Sequence, residues 1–378
     1  MKKILILAIA SAFVAPAVMA EVTVYGSLRT GLEISRNDDS VGQSVSRFRL
    51  ADGDSRIGFK GTDKLDSGLT LLWQSEERVR AGSANPNGTT SIDQQGWSGR
   101  DTFVGLEGNF GTVRFGTAYG DTIDNALGDF ASAAGDTVDA AGGLDSSIRR
   151  GNSSPTNIVM YASPSFGGFS FKANYDFGRK SSTANAYSYA ASAFYNSALF
   201  DIGAAYKRSK DTNQPSINTS VTSTASFTPV SGDSFSTYLI AGQIKPINGL
   251  AIATGWQRVN TTTTTGAFGD AHQDGYGLAA TYTLAKMAYQ LAAGKVDNVK
   301  GDNVTVSSTG YTTYNGSMTY ALSKQSQLRF SLTYINNQNN AGTYTNQGFG
   351  TWGTATGIAP VSAGGKATVA SVGLRTDF

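Results

Sequence analysis

The chain has no cysteine, one histidine (His272) and only 8 prolines in 378 residues. Without thiolates there is no disulfide framework and no thiolate metal site. A single histidine nearly removes imidazole chemistry. Charged residues make up 15% of the chain, against about 25% in ordinary soluble domains. After the N-terminus no run of 18 apolar residues occurs, which excludes a helical membrane protein. Coiled-coil composition is also lacking, and the scattered glycines (Gly168, Gly203, Gly255, Gly277) do not form a nucleotide-binding GxGxxG motif. The acidic stretches lack the spacing of a calcium loop. No cofactor is expected. The abundant residues are Gly (45), Phe (19) and Tyr (17), beside many Thr, Ser and Asn.

The first twenty residues read as a secretory signal peptide. Lys2 and Lys3 precede the apolar stretch from Ile4 to Val18, and Val18-Met19-Ala20 supplies small residues before the expected cleavage after Ala20. Removing Lys2 and Lys3 leaves 28 basic residues against 28 acidic ones, a net charge of zero. No bulk electrostatic argument for nucleic-acid binding survives that balance.

Residues 21–378 read as one unit built from alternation. From Val22 to Ser35, even positions carry Val22, Val24, Leu28, Leu32 and Ile34, and odd positions carry Tyr25, Ser27, Arg29, Glu33 and Ser35. Period two is the signature of a strand with a different solvent on each face. The pattern recurs through Leu69–Arg78, Phe169–Asp176, Leu250–Gln257, Tyr276–Leu284, Gln327–Tyr334 and Ser371–Phe378. Short turns are expected near 61–68, 108–111, 163–168, 196–199, 245–249, 285–287 and 323–326. Long loops are expected near 36–54, 80–99, 117–156, 178–187, 209–234, 260–274, 297–309 and 337–366. Seven short and eight long connections join sixteen strands. That count and asymmetry predict an all-β fold, a 16-stranded antiparallel transmembrane β-barrel of the bacterial outer membrane. The barrel must close, because lipid offers no partner to an unpaired backbone group.

Several segments carry a family resemblance. Val22-Thr-Val-Tyr-Gly-Ser-Leu, Ser55-Arg-Ile-Gly-Phe-Lys-Gly-Thr, Phe103-Val-Gly-Leu-Glu-Gly-Asn-Phe-Gly-Thr-Val-Arg-Phe-Gly, Tyr161-Ala-Ser-Pro-Ser-Phe-Gly-Gly-Phe, Tyr320-Ala-Leu-Ser-Lys and Val372-Gly-Leu-Arg-Thr-Asp-Phe occur in the order seen in Gram-negative general diffusion porins, which the chain resembles. The resemblance implies a homotrimer, loop 3 folded inward to narrow the pore, passive diffusion of ions and small hydrophilic solutes, and a terminal aromatic, Phe378, needed for assembly. An outer-membrane location brings lipid and lipopolysaccharide as neighbours. Thr376-Asp377 departs from the family, which often has a basic residue there.

Selectivity in a wide water-filled lumen comes from charges projecting into it. The loop 117–156 carries Asp121 and Asp124 at its entry and Arg149 and Arg150 at its exit. Its apolar stretches would be exposed if it pointed outward. Lumen parity places Arg29, Arg56, Lys60, Arg78 and Arg114 on the wall. By resemblance Arg56, Glu76 and Arg100 match lumen charges, although the parity of Arg100 is ambiguous. The sign of selectivity stays open, with a lean to anions. Tyr25, Trp73, Tyr175, Tyr206, Tyr238, Trp256, Tyr282 and Tyr334 suit interfacial girdles. The rival readings are a barrel enzyme and a surface adhesin. Hydrolytic catalysis would need an activating base, and His272 is expected in a loop, a poor place for one.

Overall fold

The computed structural model describes residues 22–38, 42–53, 55–79, 100–118, 147–148, 157–178, 185–211, 232–262, 270–301, 305–339 and 364–378. Within them run β1 (Thr23–Asp38), β2 (Ser44–Asp52), β3 (Arg56–Lys64), β4 (Thr70–Arg78), β5 (Thr102–Gly108), β6 (Gly111–Thr117), β7 (Ile158–Ala162), β8 (Phe169–Asp176), β9 (Tyr187–Asn196) and β10 (Phe200–Lys210). They are followed by β11 (Ser234–Ile247), β12 (Leu250–Thr262), β13 (Asp270–Leu284), β14 (Met287–Val296), β15 (Val299–Gly301), β16 (Thr305–Val306), β17 (Tyr311–Ala321), β18 (Ser326–Asn337) and β19 (Lys366–Asp377). All belong to one sheet in which each strand pairs antiparallel with its neighbours. β2 and β3 are two pieces of one barrel strand, since both pair with β1. β14 and β15 likewise share β13, and β16 leads into β17. The segments thus make the expected sixteen strands, and the sheet closes on itself where β1 pairs with β19.

The burial pattern is inside-out. Large apolar side chains such as Leu32, Ile34, Phe115, Ile240, Leu278, Leu291 and Leu332 lie exposed, while Glu33, Gln257, Gln273, Thr313 and Thr333 are buried. A soluble sandwich would reverse this. Here the exposed band meets hydrocarbon, and the covered polar face looks into the barrel. Register fixes the assignment. Ser27 faces Arg56, Arg56 faces Arg78 and Gly105 faces Arg114, so odd positions of β1 share the lumen with even positions of β3 and β4.

The seam is held by direct backbone bonds. Gly26 N–H donates to Phe378 O (2.9 Å) and Phe378 N–H donates to Gly26 O (3.1 Å). The Phe378 ring lies over Gly26, where any Cβ would collide with it. Removing Phe378 is expected to open this end of the seam and expose a strand edge. The check is migration of unboiled protein on a gel. The compact band should be lost or strongly reduced, and an undiminished band would count against a role for this residue in closure.

Some boundaries differ from expectation. The first long loop, 36–54, is mostly strand, with β1 reaching Asp38 and β2 starting at Ser44. His272 lies in β13, paired with Asn260, and not in a loop. The expected loop 297–309 contains the β15–β16 hairpin. The expected turns 61–68 and 245–249 also shrink, because β3 runs to Lys64 and β11 to Ile247. β2 carries Phe48 and Leu50 opposite Ile34 and Leu32 on the hydrocarbon side, so its alternation is present; the other ends run past the lipid band into water on both faces. Alternation fades there while ladder hydrogen bonding continues.

Candidate functional site

A β-bulge organises the lumen wall. Between the pairs Ser27–Arg56 and Thr30–Asp52, residues 28–29 of β1 oppose residues 53–55. Ser55, fully buried, stands in for a ladder partner. Its oxygen accepts from Arg29 N–H (2.9 Å), and its hydroxyl donates to Asp52 Oδ1 (2.5 Å), with Arg29 O at 3.0 Å. Asp52 takes the Ser55 N–H at 3.2 Å. Bulges re-aim neighbouring side chains, and this one is flanked by Arg29 and Arg56.

The arginines stand in register. Arg29 is directly opposite Arg375, and Arg56 is directly opposite Arg78. Cross-strand neighbours have Cβ atoms about 5 Å apart, and like charges there are unfavourable. Each pair is eased by local partners. Arg29 Nε donates to Ser27 Oγ (2.9 Å), Arg375 bonds Asp377 (2.9 Å), and Arg56 Nε lies 3.8 Å from Glu76. Lys60 sits 5.1 Å from the centre of the Tyr25 ring, and Arg114 lies 4.5 Å from that of Phe103. These residues form one cationic stretch of wall from β19 through β6.

Glu76 and Arg100 do not project into the lumen as separate charges. Arg100 Nε donates to Glu76 Oε1 at 2.5 Å, and the two side chains are 4% and 6% exposed. The Glu76 carboxylate is therefore largely neutralised by a base that sequence parity could not place. Tyr25 completes the group by donating its hydroxyl to Glu76 Oε2 at 2.9 Å. Tyr25 thus faces the lumen, a correction to its expected place in an aromatic girdle; its odd parity on β1 decides the matter. The other seven girdle candidates lie on the outward parity of their strands. Asp121, Asp124, Arg149 and Arg150 lie outside the described residues.

Physical reasons for the Ser55-Arg56-Ile57-Gly58 segment now emerge. Ser55 holds the bulge, Arg56 faces the lumen, and Gly58 makes room for the Tyr25 ring, with which a Cβ would collide. Gly58→Ala is expected to push Tyr25 off Glu76 and cost about 1–3 kcal/mol through overpacking. Thermal unfolding of the refolded barrel checks this, and an unchanged midpoint would contradict the packing account.

Sequence reasoning missed Ile148. It is fully buried, with Ser147, in the expected long loop 117–156. Its side chain packs on the lumen face of the barrel, at Gly255 of β12, among Leu239, Ala241, Ala253 and Ala279. Glycine and alanine at these lumen positions leave the space it fills. The available signal was a run of small lumen residues on consecutive strands. Arg375 and Arg329 were legible on the polar parity of their strands but were not singled out. Arg329 is buried on the lumen side of β18.

The comparisons agree with this architecture. The sequence profile described as Gram-negative porin matches residues 7–340. Major outer membrane protein P.IB of Neisseria sicca is 37% identical over 182 residues, 46% of this chain and 47% of that protein. The Neisseria meningitidis serogroup A protein of the same name is 34% identical over 226 residues, 57% and 63% of the two chains. The matched region thus spans about half to three fifths of these relatives. Among solved structures, the anion-selective porin from Comamonas acidovorans superposes with a TM-score of 0.70 at 19% identity, covering 95% of this chain and 100% of that one. OmpT of Vibrio cholerae, folded in vitro, gives 0.64 at 16% identity over 96% and 100%. Such low identities speak to the fold. The closed inside-out barrel, its charged wall and the profile match together establish that the chain belongs to the Gram-negative porins.

Proposed function

We propose that this chain is a general diffusion channel of the outer membrane, passing ions and small hydrophilic solutes without energy coupling. The observation that carries the reading is the closed barrel with its apolar band outside and its polar, charged wall inside. Its fold and family are those of channels, not enzymes. The test is incorporation into a planar bilayer. Stepwise ohmic conductance is expected, and recovery of the protein as a soluble periplasmic species would overturn the reading.

Cleavage after Ala20, a homotrimeric assembly and contact with lipopolysaccharide belong to the same proposal. So does an inward course for loop 3. The burial of Ile148 against Gly255 supports it, because a loop leaving the barrel mouth outward would not bring that residue to the wall. The constriction then sets Asp121 and Asp124 against Arg29, Arg56, Lys60, Arg78 and Arg114, with Arg149 near the loop exit and Glu76–Arg100 bracing the wall. The excess of base on the described wall favours anions. The related Comamonas acidovorans fold is described as anion-selective.

A further inference from the structure

The outer surface carries a groove that the channel does not use. It holds about 570 Å³ over β8–β12. Its floor is Ala173, Ala191, Ala193 and Ala204, which lie on the outward parity and sit next to one another in register. Tyr206 and Tyr238 wall its upper side, and Trp256 closes one flank in the register row of Ala204. Tyr206 and Tyr238 are 5.0 Å apart, and Tyr189 continues the row at 6.2 Å from Tyr206. Such a belt marks the boundary between hydrocarbon and headgroups. The groove therefore lies at acyl-chain depth, on the side of the short turns.

Cations stand directly above it. Arg208 and Lys210 follow Tyr206 on the same outward face of β10, two and four residues toward the long loops. Arg208, Ser236, Asn260, His272 and Lys300 then occupy one register row across β10, β11, β12, β13 and β15. At about 4.8 Å per strand this row is roughly 19 Å long. The nearby acids are mostly engaged. Asp274 is held by Arg258 (2.7 Å), and Asp297 by Lys295 (2.7 Å). Asp270, exposed at the start of β13, lies three strands from Lys210 in register. Arg208, Lys210 and Lys300 have no carboxylate partner among the described residues.

We propose that the alanine-floored groove, the cations Arg208 and Lys210 above it and Lys300 at the far end of the same register row form a binding site for one lipopolysaccharide molecule of the outer leaflet, acyl chain in the groove and lipid A phosphates on the cations. The site rests on the outer-membrane reading and narrows its lipid contact to this face. An acyl chain alone would need only the groove, and a phosphate alone only the cations. A bisphosphorylated, acylated glycolipid satisfies both at the depth each occupies.

The test uses the full-length refolded barrel and reads retained lipid by native mass spectrometry. The probes are bisphosphoryl lipid A, its dephosphorylated form and phosphatidylglycerol. Bisphosphoryl lipid A is expected to bind with the highest affinity. The combined variant Arg208→Ala, Lys210→Ala, Lys300→Ala should bind it roughly 100-fold more weakly, at about one surface-electrostatic increment per base. Ala193→Trp should fill the groove and reduce retention while leaving the cations in place. Unboiled gel migration and bilayer conductance should stay unchanged in all variants, so loss of binding is separable from loss of the channel. Equal retention of the dephosphorylated lipid, or wild-type binding by either variant, would overturn the site. So would lipid-independent dimerisation that Ala193→Trp abolishes, since the groove would then seat a second copy.

Discussion

Leucine at Gly255 is expected to dislodge Ile148 from the lumen wall and change the single-channel conductance. Ile148 is fully buried, and its Cδ1 occupies the space a side chain at position 255 would need. Overpacking of this kind costs about 1–3 kcal/mol. Concentrated on one docking contact, that is roughly a 5- to 150-fold shift toward the undocked loop. Ile148→Ala tests the same contact from the loop side and leaves the wall intact. Losing a buried side chain of that size typically costs about 2–5 kcal/mol. Both variants should raise the mean conductance or the open-channel noise in a planar bilayer. Currents like those of the parent from both would mean that the docked residue does not govern the constriction.

Neutralising the two sets of charge is expected to move the reversal potential in opposite directions. Arg56→Ala with Arg78→Ala removes one of the two cross-strand arginine pairs, and permeability should shift toward cations. Asp121→Asn with Asp124→Asn should shift it toward anions. The measurement is zero-current potential in a salt gradient. At 0.1 M salt the screening length is about 10 Å, so the wall charges reach well into the lumen; near 1 M it is about 3 Å, and most of the difference should vanish. If neither pair alters the permeability ratio at low salt, the loop and this wall do not face one another across the path.

Strand number and lumen parity could be read from the sequence because lipid and water impose opposite demands on alternate residues. Arg29, Arg56, Lys60, Arg78 and Arg114 all fall on the lumen parity as expected. Where both faces meet water the cue disappears, which is why His272 reads as loop; the run Ser44–Asp52 does keep outward apolar residues at Phe48 and Leu50, opposite Ile34 and Leu32, but its polar neighbours mask them in the sequence. Pairing is harder to read than parity. The union of Arg100 with Glu76 joins residues 24 apart in the chain, across the long connection that follows β4. Neither residue alone announces it. Tyr25 misled because its aromatic character suggested a girdle while its position on β1 did not. Ile148 was hidden for a related reason. Its burial depends on Gly255 and on alanines of distant strands, and small residues carry no signal until the strands are laid side by side.

The seam has a consequence in time. Gly26 and Phe378 bond to each other across almost the full length of the described chain, and β1 finds its second neighbour only in β19. Contacts this distant in sequence form slowly, because the long intervening loop must be closed first. Intermediate hairpins can zip in order from β4 to β18, yet none of them removes the two open edges. Completion is therefore a single late event, with a sticky, partly zipped sheet as its precursor. The rate at which functional channels appear should follow how well that precursor is sheltered on its way to the membrane, more than the strength of any one hairpin.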